Sequence, residues 1–169
     1  MSDAPIELAD YNVAWPSMFE KEQALLKSAI GDYVVGSIEH IGSTSILGMP
    51  AKPIIDIMVG VKSLQHSAAA IPSLINCSYC YYPYKAQVMH WFCKPSPQVR
   101  SHHVHLVPFM SPLWQERIIF RNTLRENAHL ALEYATLKQQ LADNYGHDRE
   151  AYTQKKWPFI KKILASYSD

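Results

Sequence analysis

A chain of 169 residues, 48% hydrophobic and 18% charged, holds enough apolar material for one well-cored domain, and a single domain over residues 1–169 is expected. Its formal net charge of +1 provides no global basic field for a nucleic acid, so a small ligand is the expected partner. No apolar run reaches the roughly 18 residues of a membrane span, and three cysteines without an apolar leader point to a reducing cytoplasm.

In chain order, residues 1–14 read as an extended lead-in. Trp15-Pro16 then opens a helix, because proline fits a first helical turn. Met18, Phe19, Leu25, Leu26 and Ile30 share one stripe of it, and Gly31 ends it. A strand rich in β-branched residues is expected over 33–41. The stretch 40–61 combines the end of that strand, the turn Gly42-Ser43-Thr44, a short irregular segment and a second apolar strand. In extended form Ile55, Ile57, Val59 and Val61 point one way, while Ile54, Asp56, Met58 and Gly60 point the other. Asp56 is thus the one charge in a strand built for burial, and a carboxylate there needs a metal, a cation or several donors to meet it. The glycine turn lets backbone approach closely, and two adjacent hydroxyls can bond phosphate oxygens.

A helix is expected over 63–76, shortened or kinked by Pro72. Residues 78–84 and 87–93 read as a hairpin around Lys85-Ala86, and 101–109 as a further strand. Apolar residues three and four apart over 113–127, 128–145 and 148–167 predict three closing helices. That order defines an α+β protein.

Several residues carry potential chemistry. Strand alternation puts His103 and His105 on one face, where they can bind a metal or simply hydrogen-bond to neighbours. Imidazole beside Asp56 suits zinc or manganese better than magnesium. Glu39 and His40 face opposite ways, so only one belongs to a site around Asp56. Lys52 lies four residues before Asp56 and can neutralise a phosphate near the turn. Arg121 and Arg125 lie one helical turn apart and can clasp phosphates, or form an exposed basic face. Two helices repeat a spacing, Tyr134 with Lys138 and Tyr152 with Lys156; either these faces converge on a ligand or they pack and snorkel. Cys77 and Cys80 lack the second pair that a zinc ribbon requires. Trp91, Trp114 and Trp157 are assigned to the core.

The run from Glu39 to Thr44, then Leu47-Gly48, then Ala51-Lys52-Pro53-Ile54-Ile55-Asp56-Ile57 resembles the GrpB family, also called UPF0157, of the nucleotidyltransferase superfamily. Phe120-Arg121-Asn122-Thr123-Leu124-Arg125 resembles a later family motif, with Asn122 in place of an acid. The resemblance implies a small mixed sheet flanked by helices with further C-terminal helices, and a metal-dependent nucleotidyltransferase that uses a nucleoside triphosphate and an unknown acceptor. It implies Asp56 as the catalytic residue, with Asp56, His103 and His105 around a divalent magnesium, manganese or zinc ion. It further implies nucleotide or phosphate contacts from Gly42, Ser43, Thr44, Lys52, Arg121, Arg125, Lys138, Tyr152 and Lys156, with His40 as an additional residue. One departure stands out: Met58 occupies the place of the second acidic residue. The alternatives are a nucleotide-binding or protein-interaction module that has lost catalysis and a metal-dependent hydrolase built on the His-x-His strand.

Overall fold

The computed structural model describes residues 5–167; the start of the expected lead-in, residues 1–4, lies outside them. Helix α1, Trp15–Ile30, opens with Pro16 in its first turn and is followed by strand β1, Val34–Ile41. Strand β2 is Ile55–Val61. The helix expected over 63–76 is broken into α2, Leu64–Ser67, and α3, Ile71–Asn76, joined by a tight turn of 3₁₀ helix. Pro72 sits in the first turn of α3, where its missing N–H costs nothing.

Strands β3, Cys80–Tyr82, and β4, His90–Pro95, form the expected hairpin with a longer connection than Lys85-Ala86 alone. Pro83 has no N–H to continue the ladder. Beyond it Lys85 adopts a positive φ of 47°, and its carbonyl accepts from Val88 N and Met89 N. Strand β5, Arg100–Pro108, precedes three helices, α4 Pro112–Glu126, α5 Ala128–Tyr145 and α6 Arg149–Ala165. Ser111, Asn127 and Asp148 cap them by accepting from backbone N–H groups of the first turn.

The five strands form one mixed sheet in the order β1-β2-β5-β4-β3. Only β2 and β5 run parallel, and their register sets Asp56 beside His103 and Met58 beside His105. Ile55, Ile57 and Val59 bury completely against α1 and α3, together with Leu26, Ile30, Leu74 and Phe92. The opposite face carries Ile41, Met58, Trp91 and Cys93 and is covered by Trp114 of α4. A third apolar cluster ties the chain after the glycine turn to the closing helices: Ile46 and Met49 pack with Leu124, Tyr134 and Ile163. Burying such side chains stabilises by about 1.5–3 kcal/mol each, and this cluster holds α5 and α6 over the end of the sheet where Asp56 lies. Among the described residues no helix is long and apolar enough to cross a membrane.

Candidate functional site

Asp56 projects from β2 on the face of the sheet that it shares with Met58 and that α4 covers, its side chain 30% exposed. Its Oδ1 meets His103 Nδ1 at 3.0 Å and His105 Nε2 at 3.3 Å. Burial alone would raise the Asp56 carboxyl, but the hydrogen bonds from the two histidines hold it well below the usual carboxylate range.

The glycine turn closes over this carboxylate. Gly42 has a φ of 73°, and a Cβ built there would lie 2.7 Å from Asp56 Oδ2. Only glycine combines that conformation with that approach. The Thr44 hydroxyl is engaged by the scaffold, meeting His40 Nε2 at 2.9 Å and donating to the Ile54 carbonyl at 3.4 Å. His40 itself faces away from Asp56 and stacks on Phe19 at 4.8 Å; burial, with Arg125 nearby, pushes its pKa down to about 4. Glu39, not His40, shares the sheet face of Asp56.

Two cavities meet at Asp56. The inner one, ≈190 Å³, gathers Lys52, Lys138, Lys156, Tyr134 and Tyr152, so the two Tyr-Lys helix faces do converge. Lys138 is 2% exposed and donates to the Pro50 carbonyl at 2.7 Å. Lys52 and Lys156 lie 5.5 and 4.7 Å from the Tyr152 ring centroid, and Lys138 lies 5.2 Å from that of Tyr134, a geometry in which each ring face attracts the ammonium. Burial, reinforced by Lys156 and Lys52, lowers the Lys138 pKa to about 7. Burial and Lys52 lower Lys156 to about 8, with Asp56 opposing, and burial lowers Lys52 as well. The outer cavity, ≈390 Å³, opens between α4 and α6 and shares Gly42, Ser43, Asp56, Tyr134 and Lys156 with the inner one.

Both arginines of the pair hydrogen-bond to the fold, and Arg121 also lines the outer cavity. Arg121 Nη1 donates to Glu39 Oε2 at 2.7 Å and to the His40 carbonyl at 3.0 Å, and its other nitrogens reach Asn122 Oδ1. Arg125 Nε donates to the Ser45 carbonyl at 3.0 Å. Both therefore brace the end of β1 and the glycine turn.

Sequence reasoning missed Arg117, whose signal was its place one helical turn before Arg121. Its Nη1 lies 3.0 Å from His105 Nδ1. A guanidinium only donates, so Nδ1 accepts, and the neutral His105 ring carries its proton on Nε2, aimed at Asp56. His103 donates from Nδ1 to Asp56, and its buried Nε2 finds no hydrogen-bond partner among the described residues.

Asp56, His103 and His105 offer ligand atoms within 4.8 Å of one another. The set of one carboxylate and two imidazoles suits manganese or zinc. His103 can release Nδ1 by moving its proton to Nε2, which no neighbouring donor opposes. His105 cannot do the same without turning an Nδ1–H toward Arg117. Asp56 and His103 therefore fit a metal directly, and His105 fits it only once Arg117 yields.

Trp91 and Trp114 are buried, but Trp157 is 49% exposed and lines the outer cavity, because α6 turns its Lys156-Trp157 face toward the cleft rather than the core. Cys93 is buried, Cys77 and Cys80 are partly buried, and all three are free thiols.

A mixed α+β sheet carrying a carboxylate and two histidines beside a lysine-lined cavity defines the class of protein. A family model described as GrpB protein matches residues 5–166. The glutamate-rich protein GrpB of Alkalihalophilus pseudofirmus is 35% identical over 162 residues, covering 93% of this chain and 92% of that one. The UPF0157 protein YqkA of Bacillus subtilis is 33% identical over 92% of this chain, which spans 45% of that longer protein. The crystal structure of the conserved protein GrpB from Enterococcus faecalis superposes with a TM-score of 0.84 at 31% identity, covering 96% of this chain and all of that one. The chain belongs to the GrpB family, whose members also carry the name UPF0157.

Proposed function

We propose that this protein binds a nucleoside triphosphate in the cleft beside Asp56 and transfers its nucleotidyl group to an acceptor. The observation that carries this reading is the charge imbalance of the inner cavity, where Lys52, Lys138 and Lys156 face the single carboxylate of Asp56. Buried ammonium groups are costly unless an anion meets them, and a chain of phosphates supplies the missing charge. The resemblance to the nucleotidyltransferase superfamily adds the reaction class. An acceptor oxygen or nitrogen attacks the α-phosphorus, the bond to the bridging oxygen of the β-phosphate breaks, pyrophosphate leaves with that electron pair, and the acceptor proton passes to water. A divalent ion on Asp56 and His103 would neutralise charge developing on the phosphoryl oxygens. The lysines hold the phosphates, Gly42 lets the turn close on Asp56, and Arg121 and Arg125 fix the turn. The three free thiols accord with a cytoplasmic setting.

A second reading, a nucleotide-binding module without catalysis, is favoured by Met58. It stands beside His105 where the second carboxylate of an active enzyme is expected, and it is fully buried against Trp114. Pyrophosphate release separates the two. Incubation with each ribonucleoside triphosphate, manganese and a panel of hydroxyl and amine acceptors is expected to give slow release that Asp56→Asn abolishes with the fold intact. Tight nucleotide binding with no release would establish the module, and robust release by Asp56→Asn would overturn the catalytic reading.

A further inference from the structure

The outer cavity is the larger of the two and is continuous with the inner one through Asp56, Gly42 and Lys156, which line both. At ≈190 Å³ the inner cavity falls below the roughly 300–1,000 Å³ typical of pockets that enclose a whole small-molecule ligand. At ≈390 Å³ the outer cavity falls within that range. Leu113, Phe120 and Ile160 give it an apolar lining, Trp157 and Tyr84 add two rings, and the charged Lys85, Glu116, Arg117 and Arg121 lie among them. These two rings are 49% and 45% exposed, which leaves ring surface open to a ligand in the cavity. Helix α6 sets the join: Lys156 faces both cavities and its neighbour Trp157 faces the outer one alone.

We infer that the outer cavity binds the nucleoside half of the ligand, with its planar base against Trp157 and Tyr84. This assignment rests on the phosphate reading of the inner cavity and gives the bound nucleotide a direction. The triphosphate tail lies among Lys52, Lys138 and Lys156, the α-phosphate sits at the junction beside Asp56 and Gly42, and the base lies between α6, which carries Trp157, and the hairpin connection that carries Tyr84. The walls are mostly apolar, so stacking rather than edge recognition supplies the binding, and purines are preferred to pyrimidines for their larger face.

Calorimetric titration of the full chain at pH 7 with manganese tests this, using inorganic tripolyphosphate, ATP and UTP as probes. Base stacking predicts that ATP binds about 10-fold or more tightly than tripolyphosphate, with UTP between them. Trp157→Ala and Tyr84→Ala should each remove most of that surplus while leaving tripolyphosphate affinity and thermal unfolding unchanged, since both side chains are half exposed. Equal affinity for ATP and tripolyphosphate would overturn this assignment alone and leave the phosphate reading standing. The same holds if either variant weakens both probes alike. A wild-type protein that binds neither would overturn both readings together.

Discussion

Replacing Lys138 with methionine should make the ligand-free protein more stable and its ligand binding worse. Burial and two neighbouring lysines lower the Lys138 pKa from its ordinary 10.5 to about 7. Between those values the unfolded chain holds a proton that the folded one releases, so stability rises with pH across that window. At pH 7 the shift corresponds to about 4 kcal/mol of destabilisation. Methionine keeps the length and apolar body of the side chain but leaves the Pro50 carbonyl without the donor it has at 2.7 Å. That loss offsets about 2 kcal/mol, so the variant should gain about 2 kcal/mol, or about 5 °C for a chain of this size. The assay is urea unfolding of both proteins at pH 7 and pH 9 without ligand. The wild type should gain stability at the higher pH and the variant should gain less, closing the gap between them. A variant less stable than wild type at pH 7, or an unchanged gap at pH 9, would refute the claim that the lysine cavity is strained for want of an anion.

Other consequences are equally specific. Gly42→Ala places a Cβ 2.7 Å from Asp56 Oδ2 at a φ of 73°; chemical denaturation should record a loss of about 1–3 kcal/mol, and nucleotide affinity should fall with it. Arg117→Leu frees His105 Nδ1 to carry the proton, so manganese or zinc affinity measured by calorimetry should rise about 10-fold or more; a fall would show that Arg117 supports rather than opposes that ligand. His103→Ala should abolish metal uptake while His105→Ala lowers it only modestly, and the reverse order would assign the ion to His105. His40 has its pKa pushed down to about 4, so the unfolded chain takes up a proton first as pH falls below about 6.5 and stability declines by up to about 3 kcal/mol toward pH 4; His40→Gln should flatten that slope in acid-unfolding curves.

The core of the site was legible because it depends on local geometry. Period-two alternation placed Asp56 opposite Ile55 and Ile57, and it placed His103 and His105 on one face. The four-residue spacing of Tyr134 with Lys138 and of Tyr152 with Lys156 likewise survives as one lined cavity. What sequence could not supply were partners from distant elements. Arg121 and Arg125 have the spacing of a phosphate clasp, and spacing alone does not show that Glu39, the His40 carbonyl of β1 and the Ser45 carbonyl of the glycine turn also meet them. The pleat allowed either Glu39 or His40 toward Asp56, and only the antiparallel register with β2 decides for Glu39. Trp157 reads as core by its chemistry, yet the docking of α6 through Ile163 and Phe159 leaves it at the cleft. Pairing in the β3–β4 hairpin starts later than composition suggests because Pro83 and the positive φ of Lys85 delay it.

The most direct test of the central claim, that the lysine cavity and Asp56 receive the phosphates of a nucleotide, is thermal unfolding of the full chain with each ribonucleoside triphosphate and manganese. A ligand at about a hundred times its dissociation constant adds about 2.7 kcal/mol, which for this chain is a rise on the order of 5 to 10 °C. The account predicts that rise for wild type, and its loss when Lys52, Lys138 and Lys156 are together replaced by methionine. A flat response of the wild type to all four nucleotides with manganese, magnesium or zinc, each near millimolar, would contradict it.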